Sequence, residues 1–405
     1  MAGYDVIIVG TRCAGASLAM LLARKGYRVL GLDRASFPSD ALSTHFLLPR
    51  TTHFLADWGL LERLAASACP RIDSISMHYG SVVVRGRPDG VGGTTAMYCP
   101  RRIVLDALLV DAAREAGAEI RERTVMRGLL WEDGRVVGIR AVHGGKAYEE
   151  RATIVVGADG AFSHLARLVQ AQSEDYQPSL TCGYYAYWSG VPTEGVEFYL
   201  RRGRDILVFP THDGLTCIWA GRSHGEWGDY RADVGAGYLA TLDAELLARV
   251  KAGRRATPYR GTGKLPNFYR RAAGEGWALV GDAAYHRDPL TGMGIGDAFL
   301  GATLLAEAIT RALDGDAQAA LVRYGRELEK RTRPVFEYTL RAAALHDPAP
   351  QQPLYAEIAG SEAATRQLMN VLGGTLSYRA LFNRESIAGL LDSRRERSAA
   401  HAAPR

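Results

Sequence analysis

An apolar run, Trp277-Ala278-Leu279-Val280, ends in Gly281-Asp282-Ala283-Ala284 and is followed by Pro289 and by Gly292-Met293-Gly294-Ile295-Gly296. A buried strand ending in this way would present the Asp282 carboxylate to a ligand hydroxyl as a charge-assisted acceptor. Pro289, Gly292 and Gly294-Ile295 then open a helix whose unpaired N–H groups and positive end favour negative charge. An acceptor for a polyol chain beside a site for an anionic ring is what a reduced flavin requires.

A second set of groups lies at the N-terminus. Tyr4-Asp5-Val6-Ile7-Ile8-Val9 reads as a buried strand, Gly10 to Gly15 as a tight turn, and Ala16 to Lys25 as a helix stopped by Gly26. Arg28 to Leu32 is the next strand, ended by Asp33. An acid roughly 20 positions beyond such a turn suits a ribose hydroxyl, with a pyrophosphate on the helix N-terminus. The turn departs from G-x-G-x-x-G because its middle position is Arg12. Arg12 must therefore turn its side chain outward or donate to the nucleotide itself. Between the two sets, Ala152 to Gly157 is a strand leading into Asp159-Gly160, a turn and a polar helix start. Cys13 sits at the helix N-terminus, where its pKa could fall, but a small packed residue serves there equally well.

These segments, GTRCAG, GADGAFSHLAR and GDAAYHRDPLTGMGIGDAF, resemble the single-component flavin monooxygenases built like para-hydroxybenzoate hydroxylase, in the broader group that includes geranylgeranyl reductases and flavin-dependent halogenases. Arg102-Ile103-Val104-Leu105-Asp106-Ala107-Leu108-Leu109 adds the R-x-x-L-x-x-x-L helix whose arginine reaches the dinucleotide in that group. The resemblance covers residues 1 to 320. It implies FAD as cofactor, held by Gly10, Arg12, Cys13, Ala14, Gly15, Asp33, Arg34, Arg102, Val125, Asp159, Gly160, Asp282, Pro289, Gly292, Gly294 and Ile295. Arginine inside GTRCAG, and Tyr285 where histidine often follows Gly-Asp-Ala-Ala, look like a bacterial subgroup of FAD-dependent oxidoreductases, which leaves the substrate open.

The implied fold is α/β, with an FAD-binding Rossmann-like domain over 1–75, 98–175 and 261–320, interleaved with an antiparallel-sheet substrate domain over 76–97 and 176–260. C-terminal helices over 321–392 and a disordered tail over 393–405 complete the expected organisation. Leu129 to Ile139 alternates about Asp133-Gly134 and reads as a hairpin. Tyr184 to Trp188, Val196 to Leu200, Ile206 to Phe209 and Leu215 to Trp219 are aromatic-rich runs separated by turn residues, and Ser74 to Arg87 adds strands to their sheet. Leu300 to Leu313 and Leu321 to Ala344 have helical spacing, interrupted at 348–353 and followed by shorter helices over 354–391.

Composition fits a globular enzyme: 405 residues, 47% hydrophobic and 23% charged, with 49 basic and 44 acidic residues giving a net charge of +5. Dispersed charge of that size makes no field for nucleic acid, and the one basic cluster noted, Arg394, Arg395 and Arg397, falls in the polar tail. No apolar run reaches the roughly 18 residues of a membrane span, and no leader precedes the first strand, which predicts a cytoplasmic protein. Cysteines at 13, 69, 99, 182 and 217 lack the spacing of a disulfide framework or a zinc site, so no metal is expected.

In the resembled group reduced flavin reacts with oxygen to a flavin peroxide, and the protein supplies position and dryness. The favoured reading is therefore an FAD-dependent monooxygenase that hydroxylates or otherwise oxygenates an aromatic or polyketide-like small molecule. NADPH or NADH would be the transient reductant, or a separate flavin reductase would serve. Candidate catalytic residues are His45, on a short loop after Asp33, and Tyr285 and His286, directly after Gly-Asp-Ala-Ala. Tyr187 and Phe209 are candidates to line the substrate. Asp288 reads as a helix-start residue, and His212 and His224 as exposed turn residues. The alternative is a geranylgeranyl reductase-like enzyme acting on a C=C bond. Halogenation is disfavoured because Ala186 to Pro192 does not match W-x-W-x-I-P. A non-catalytic prenyl-binding protein on the same fold is a remote third reading.

Overall fold

The structure is a computed structural model that describes residues 3–383; the tail at 393–405 lies outside the described residues. In chain order the main elements are β1 (Tyr4–Val9), α1 (Cys13–Ala23), β2 (Val29–Leu32), α2 (Pro49–Asp57), α3 (Leu61–Ala66), β3 (Ile75–Tyr79), β4 (Val82–Gly86), α4 (Arg102–Glu115) and β5 (Glu119–Arg121). There follow β6 (Thr124–Glu132), β7 (Arg135–His143), β8 (Lys146–Gly157), α5 (His164–Leu168), β9 (Ser173–Gln177), β10 (Thr181–Ser189), β11 (Val196–Arg201), β12 (Arg204–Pro210) and β13 (Leu215–Ser223). Then come α6 (Trp227–Ala232), α7 (Val234–Thr241), α8 (Ala244–Ala252), β14 (Arg260–Thr262), β15 (Asn267–Arg270), β16 (Trp277–Leu279), β17 (Tyr285–His286), α9 (Gly294–Arg311) and α10 (Ala317–Ala343). The last elements are α11 (Gln352–Ala359), α12 (Glu362–Leu372) and α13 (Tyr378–Leu381).

The described residues form two compact units, one of 3–45, 100–178 and 266–333, the other of 46–99, 179–265 and 334–383. In the first, β16, β8, β1, β2 and β5 lie side by side, and every pairing in that row is parallel. Such strands are covered on both faces, which is why β1 carries Val6, Ile7, Ile8 and Val9 as one buried run instead of an alternating one. Helices α1, α4 and α9 pack together in this unit. β8 is long enough to serve twice: its second half pairs with β1 and its first half with β7, which forms a hairpin with β6. The hairpin closes on Asp133-Gly134, both with positive φ (46° and 77°), as the Asp-Gly signal predicts. A smaller sheet, β9-β15-β17, completes the unit.

The second unit is built on a sheet in the order β10-β13-β12-β11-β3-β4. Its pairings are antiparallel except that β3 joins β11 in parallel, Ile75 opposite Val196. One face carries Ala186, Trp188, Val208 and Ile218, which are buried against Tyr230, Tyr238, Leu246 and Val250 of α6 to α8. The largest departures from the sequence expectation lie at 46–75 and 227–252. Residues 46–75, which include α2 and α3, cluster with the second unit. The segment 227–252, read as sheet, is three helices. Asp233 caps α7 by accepting from Ala236 N–H, and the apolar residues recur at helical spacing. Among the described residues, no helix is long and apolar enough to cross a membrane.

Candidate functional site

The nucleotide turn is set by two close approaches. A Cβ on Gly15 would stand 1.8 Å from the Gly10 carbonyl oxygen, and one on Gly10, whose φ is +94°, would stand 2.5 Å from that of Ala158. Neither position can carry a side chain without displacing backbone. Arg12 precedes α1 in an extended conformation and makes no side-chain cap, so the first-turn amides of Cys13 and Ala14 have no side-chain acceptor from the helix's own start. The Arg12 guanidinium is held by protein groups. Nη1 donates to Asp106 Oδ2 at 2.5 Å and to the Ser39 carbonyl at 3.3 Å, Nη2 donates to Ser39 Oγ at 3.0 Å, and the group lies 5.4 Å from the Phe37 ring centroid. The Arg12 side chain thus spends its donors on Asp106 and Ser39.

Asp106 was not foreseen. It has no exposed surface and also accepts from Arg102 Nε and Nη2 at 2.9 and 3.0 Å and from the Cys13 thiol at 3.4 Å. Two guanidinium groups around one carboxylate leave a net positive charge beside the α1 N-terminus, which suits a pyrophosphate. Burial pushes the Cys13 thiol far above its ordinary pKa, so it is a packed hydrogen-bond donor and not a thiolate. The only sequence signal for Asp106 was its i,i+4 spacing from Arg102.

Asp33 is drawn inward. Its Oδ2 accepts Thr11 N–H at 2.8 Å and its Oδ1 accepts Ala35 N–H at 2.8 Å, while Arg34 beside it is exposed. Thr124 N–H donates to the Asp33 carbonyl at 2.8 Å, so Val125, paired with Val142, lies one residue from this acid. The Asp159 carboxylate is engaged by the start of α5, accepting from His164 N–H at 2.7 Å and from Ser163 Oγ. Gly160 follows it at φ +82° with open space where a Cβ would be.

Gly281 to Ala283 forms a single 3-10 turn, and a Cβ on Gly281 would lie 2.8 Å from Ala14 Cβ, so this turn sits against the first turn of α1. Asp282 is exposed, and its charge acts on Arg102. Asp288 starts the Pro289–Thr291 turn by accepting Leu290 N–H at 3.1 Å. Gly292 ends that turn at φ +66°, and α9 then begins at Gly294 with no side-chain cap and with open space at the Gly294 Cβ position. These groups are compatible with FAD: the α1 amides and Arg102 are donors that a pyrophosphate would take, Asp282 is an acceptor that a hydroxyl chain would take, and the Gly294-Ile295 end of α9 has no side-chain cap.

The candidate catalytic residues separate. His45 is buried at φ +30°, a conformation that costs a non-glycine residue free energy and so points to a functional constraint. Its Nδ1 lies 2.9 Å from the Ser43 carbonyl, which can only accept, so the neutral ring carries its proton on Nδ1 and presents Nε2 as acceptor. His286 is oriented in the same way by the Pro266 carbonyl and stacks on Phe268. Tyr285 is buried, stacks on Tyr269 at 4.7 Å, and accepts from Arg287 Nε at 2.5 Å. Arg287 in turn donates to Asp297 in the first turn of α9 at 2.7 Å, so this tyrosine fastens the loop to the helix.

In the second unit, Phe209, Cys217 and Tyr187 are direct cross-strand neighbours, and Leu207, Trp219 and Tyr185 form the next row on the same sheet face. Trp219, missed in the sequence, lies where a Cβ on Gly183 would come within 2.4 Å, and its Nε1 donates to Asp205 at 2.8 Å. Glycines inside β10 and β13 were the available signal. His212 is a correction: it is buried, with Nε2 3.0 Å from Ser67 Oγ, because the β12–β13 turn folds inward. His224 is also not free in solvent, with Nε2 2.9 Å from the Gly263 carbonyl.

Residues 3–210 match the family model described as an FAD binding domain. Digeranylgeranylglycerophospholipid reductase 1 of Methanopyrus kandleri is 31% identical over 378 residues, covering 84% of this chain and 90% of that protein. Among solved structures, a flavoprotein/dehydrogenase from Cytophaga hutchinsonii aligns with a TM-score of 0.81 at 15% identity, over 96% of this chain and 98% of that one. PqsL of P. aeruginosa in complex with 2-aminobenzoylacetate aligns with a TM-score of 0.69 at 20% identity, over 96% and 99%.

Proposed function

The chain belongs to the FAD-binding-domain family, in the para-hydroxybenzoate hydroxylase-like group, and is an FAD-dependent oxidoreductase; on that premise we propose that it reduces C=C bonds of an apolar, prenyl-type substrate. The observation that carries this choice over oxygenation is kinship that runs through both units, at 31% identity and over nine-tenths of a reductase. The likeness to PqsL, at 20%, is one of fold. FAD, when bound and reduced by an external donor, would supply the hydride, and a side chain the proton.

The chain's own residues do the rest. Arg102 and the α1 amides hold the pyrophosphate, Asp33 the ribose and Asp282 the ribityl chain, with Val125 and Asp159-Gly160 bordering the nucleotide. His45, fixed by Ser43, holds or delivers a proton at Nε2, and His286 is a second candidate for that task. Tyr187 and Phe209, in an uncharged aromatic row with Cys217, form an apolar wall suited to a hydrocarbon and keep water away.

The test is to reduce the enzyme chemically without oxygen, add geranylgeranyl-type lipids, and look by mass spectrometry for one added hydrogen pair per double bond. Saturated product supports the reading. No product from any prenyl substrate refutes it. Oxygenation of an aromatic molecule is the second reading, favoured by Tyr185, Tyr187, Phe209 and Trp219 sharing one sheet face. Its arm is flavin bleaching by NADPH or NADH accelerated by an aromatic compound, followed by oxygen incorporation. Bleaching by neither nucleotide would assign reduction to a separate flavin reductase.

A further inference from the structure

Arg270, the last residue of β15, is half-buried and directs both terminal nitrogens at backbone carbonyls. Nη1 donates to the Ala283 carbonyl at 3.0 Å and Nη2 to the Ala161 carbonyl at 2.9 Å. Its backbone N–H donates to the Ala284 carbonyl at 2.8 Å, and the guanidinium lies 4.0 Å from the Phe268 ring centroid. Ala283 and Ala284 belong to the turn that presents Asp282; Ala161 lies two residues beyond Asp159. Those two loops leave the ends of neighbouring parallel strands, since Gly157 of β8 pairs with Leu279 of β16. One guanidinium therefore bolts together loops that are about 120 residues apart in the chain and leave the carboxyl ends of adjacent strands. A planar fork with diverging donors can hold two carbonyls at once, whereas an ammonium is a point charge that cannot.

We propose that Arg270 is a positioning residue for the cofactor: by clasping the Gly281–Ala284 turn to the Asp159–Ser163 loop, it sets where the Asp282 carboxylate stands toward the ribityl chain. This rests on the FAD reading above. No motif singled out Arg270, and its effect on FAD is exerted through the two carbonyls and not by contact with a reacting atom.

The test uses the full-length protein stripped of flavin, as wild type, Arg270→Ala, Arg270→Gln and Arg270→Lys, titrated with FAD by flavin fluorescence. Charge-assisted hydrogen bonds of this kind imply a Kd for Arg270→Ala weakened by roughly tenfold to a hundredfold. Arg270→Lys should recover little of it, and the bound flavin's visible spectrum should shift. Added guanidinium ion should restore affinity and spectrum in Arg270→Ala while leaving the wild type unchanged, a rescue that a merely structural role would not show. Arg270→Gln carries the test if the alanine variant does not fold. An unchanged Kd and spectrum in the folded variants overturns the inference, as does a weakened Kd that guanidinium leaves untouched and that follows a fall in melting temperature. Failure of the wild type itself to bind FAD would instead overturn the cofactor reading.

Discussion

Asp106 is the residue whose removal should be felt most. It is fully buried and is the common acceptor for Arg12, Arg102 and the Cys13 thiol. In Asp106→Asn the shape survives but the negative charge does not, leaving two guanidinium groups facing a neutral amide. The two arginines differ in what they can do next. The Arg12 side chain is 28% exposed and can swing to water, so its share resembles a surface pair, at most about 1 kcal/mol. The Arg102 side chain is only 11% exposed and cannot, so its share is that of a broken buried pair, about 3 kcal/mol at the low end of the usual range. The sum, about 3–4 kcal/mol, corresponds to a fall in melting temperature on the order of 10 °C for a unit of this size. Urea and thermal unfolding of the wild type and Asp106→Asn, each without FAD, read this directly. A loss below about 1 kcal/mol would refute the reasoning, because it would mean that Arg102 finds water as readily as Arg12 does.

Asp282→Ala should purify colourless and FAD-poor while keeping its fold by circular dichroism; stoichiometric yellow flavin in that variant would remove Asp282 from the ribityl site. His45→Ala should keep its FAD but lose turnover on whichever substrate the enzyme accepts, and unchanged turnover would end its candidacy. Stability should fall as pH drops below about 6.5, because burial against Tyr199 depresses the His78 pKa from that value and the unfolded chain then binds the proton more readily than the native one. Glu197 and Glu245 oppose that depression, and Arg201 and Arg85 add to it. Burial alone would raise the Glu197 carboxyl, but bonds from Arg249, Tyr199 and Thr193 hold it below 4.5, so its contribution is lost only at lower pH. His78→Gln should therefore flatten the upper part of the stability curve and leave the lower part; an unchanged curve would show that His78 is not the titrating group.

What the sequence determined by itself is what rests on neighbours along the chain. The strand, turn and helix around Gly10 to Gly15, the Asp133-Gly134 hairpin, the four aromatic runs that became β10 to β13 and the glycine-opened helix α9 each follow from local periodicity and backbone geometry. The two halves of the candidate cofactor site are each a continuous motif and so stand out along the chain. Tertiary structure alone decided where the long polar side chains go. Arg12 meets Asp106 across 94 positions, and Arg270 meets Ala161 across 109. Neither pair has a period or a spacing to betray it, because a guanidinium on a flexible stem takes whatever acceptors the packed strands bring within reach. The same holds for Tyr285, placed beside the site by chain position but turned into the interior by Arg287 and Asp297. It holds too for Trp219, whose place was made by Gly183 on β10 and by Gly221 two residues along its own strand. Local patterns choose the elements, but which side chains meet is settled only when those elements pack and buried polar groups must find partners.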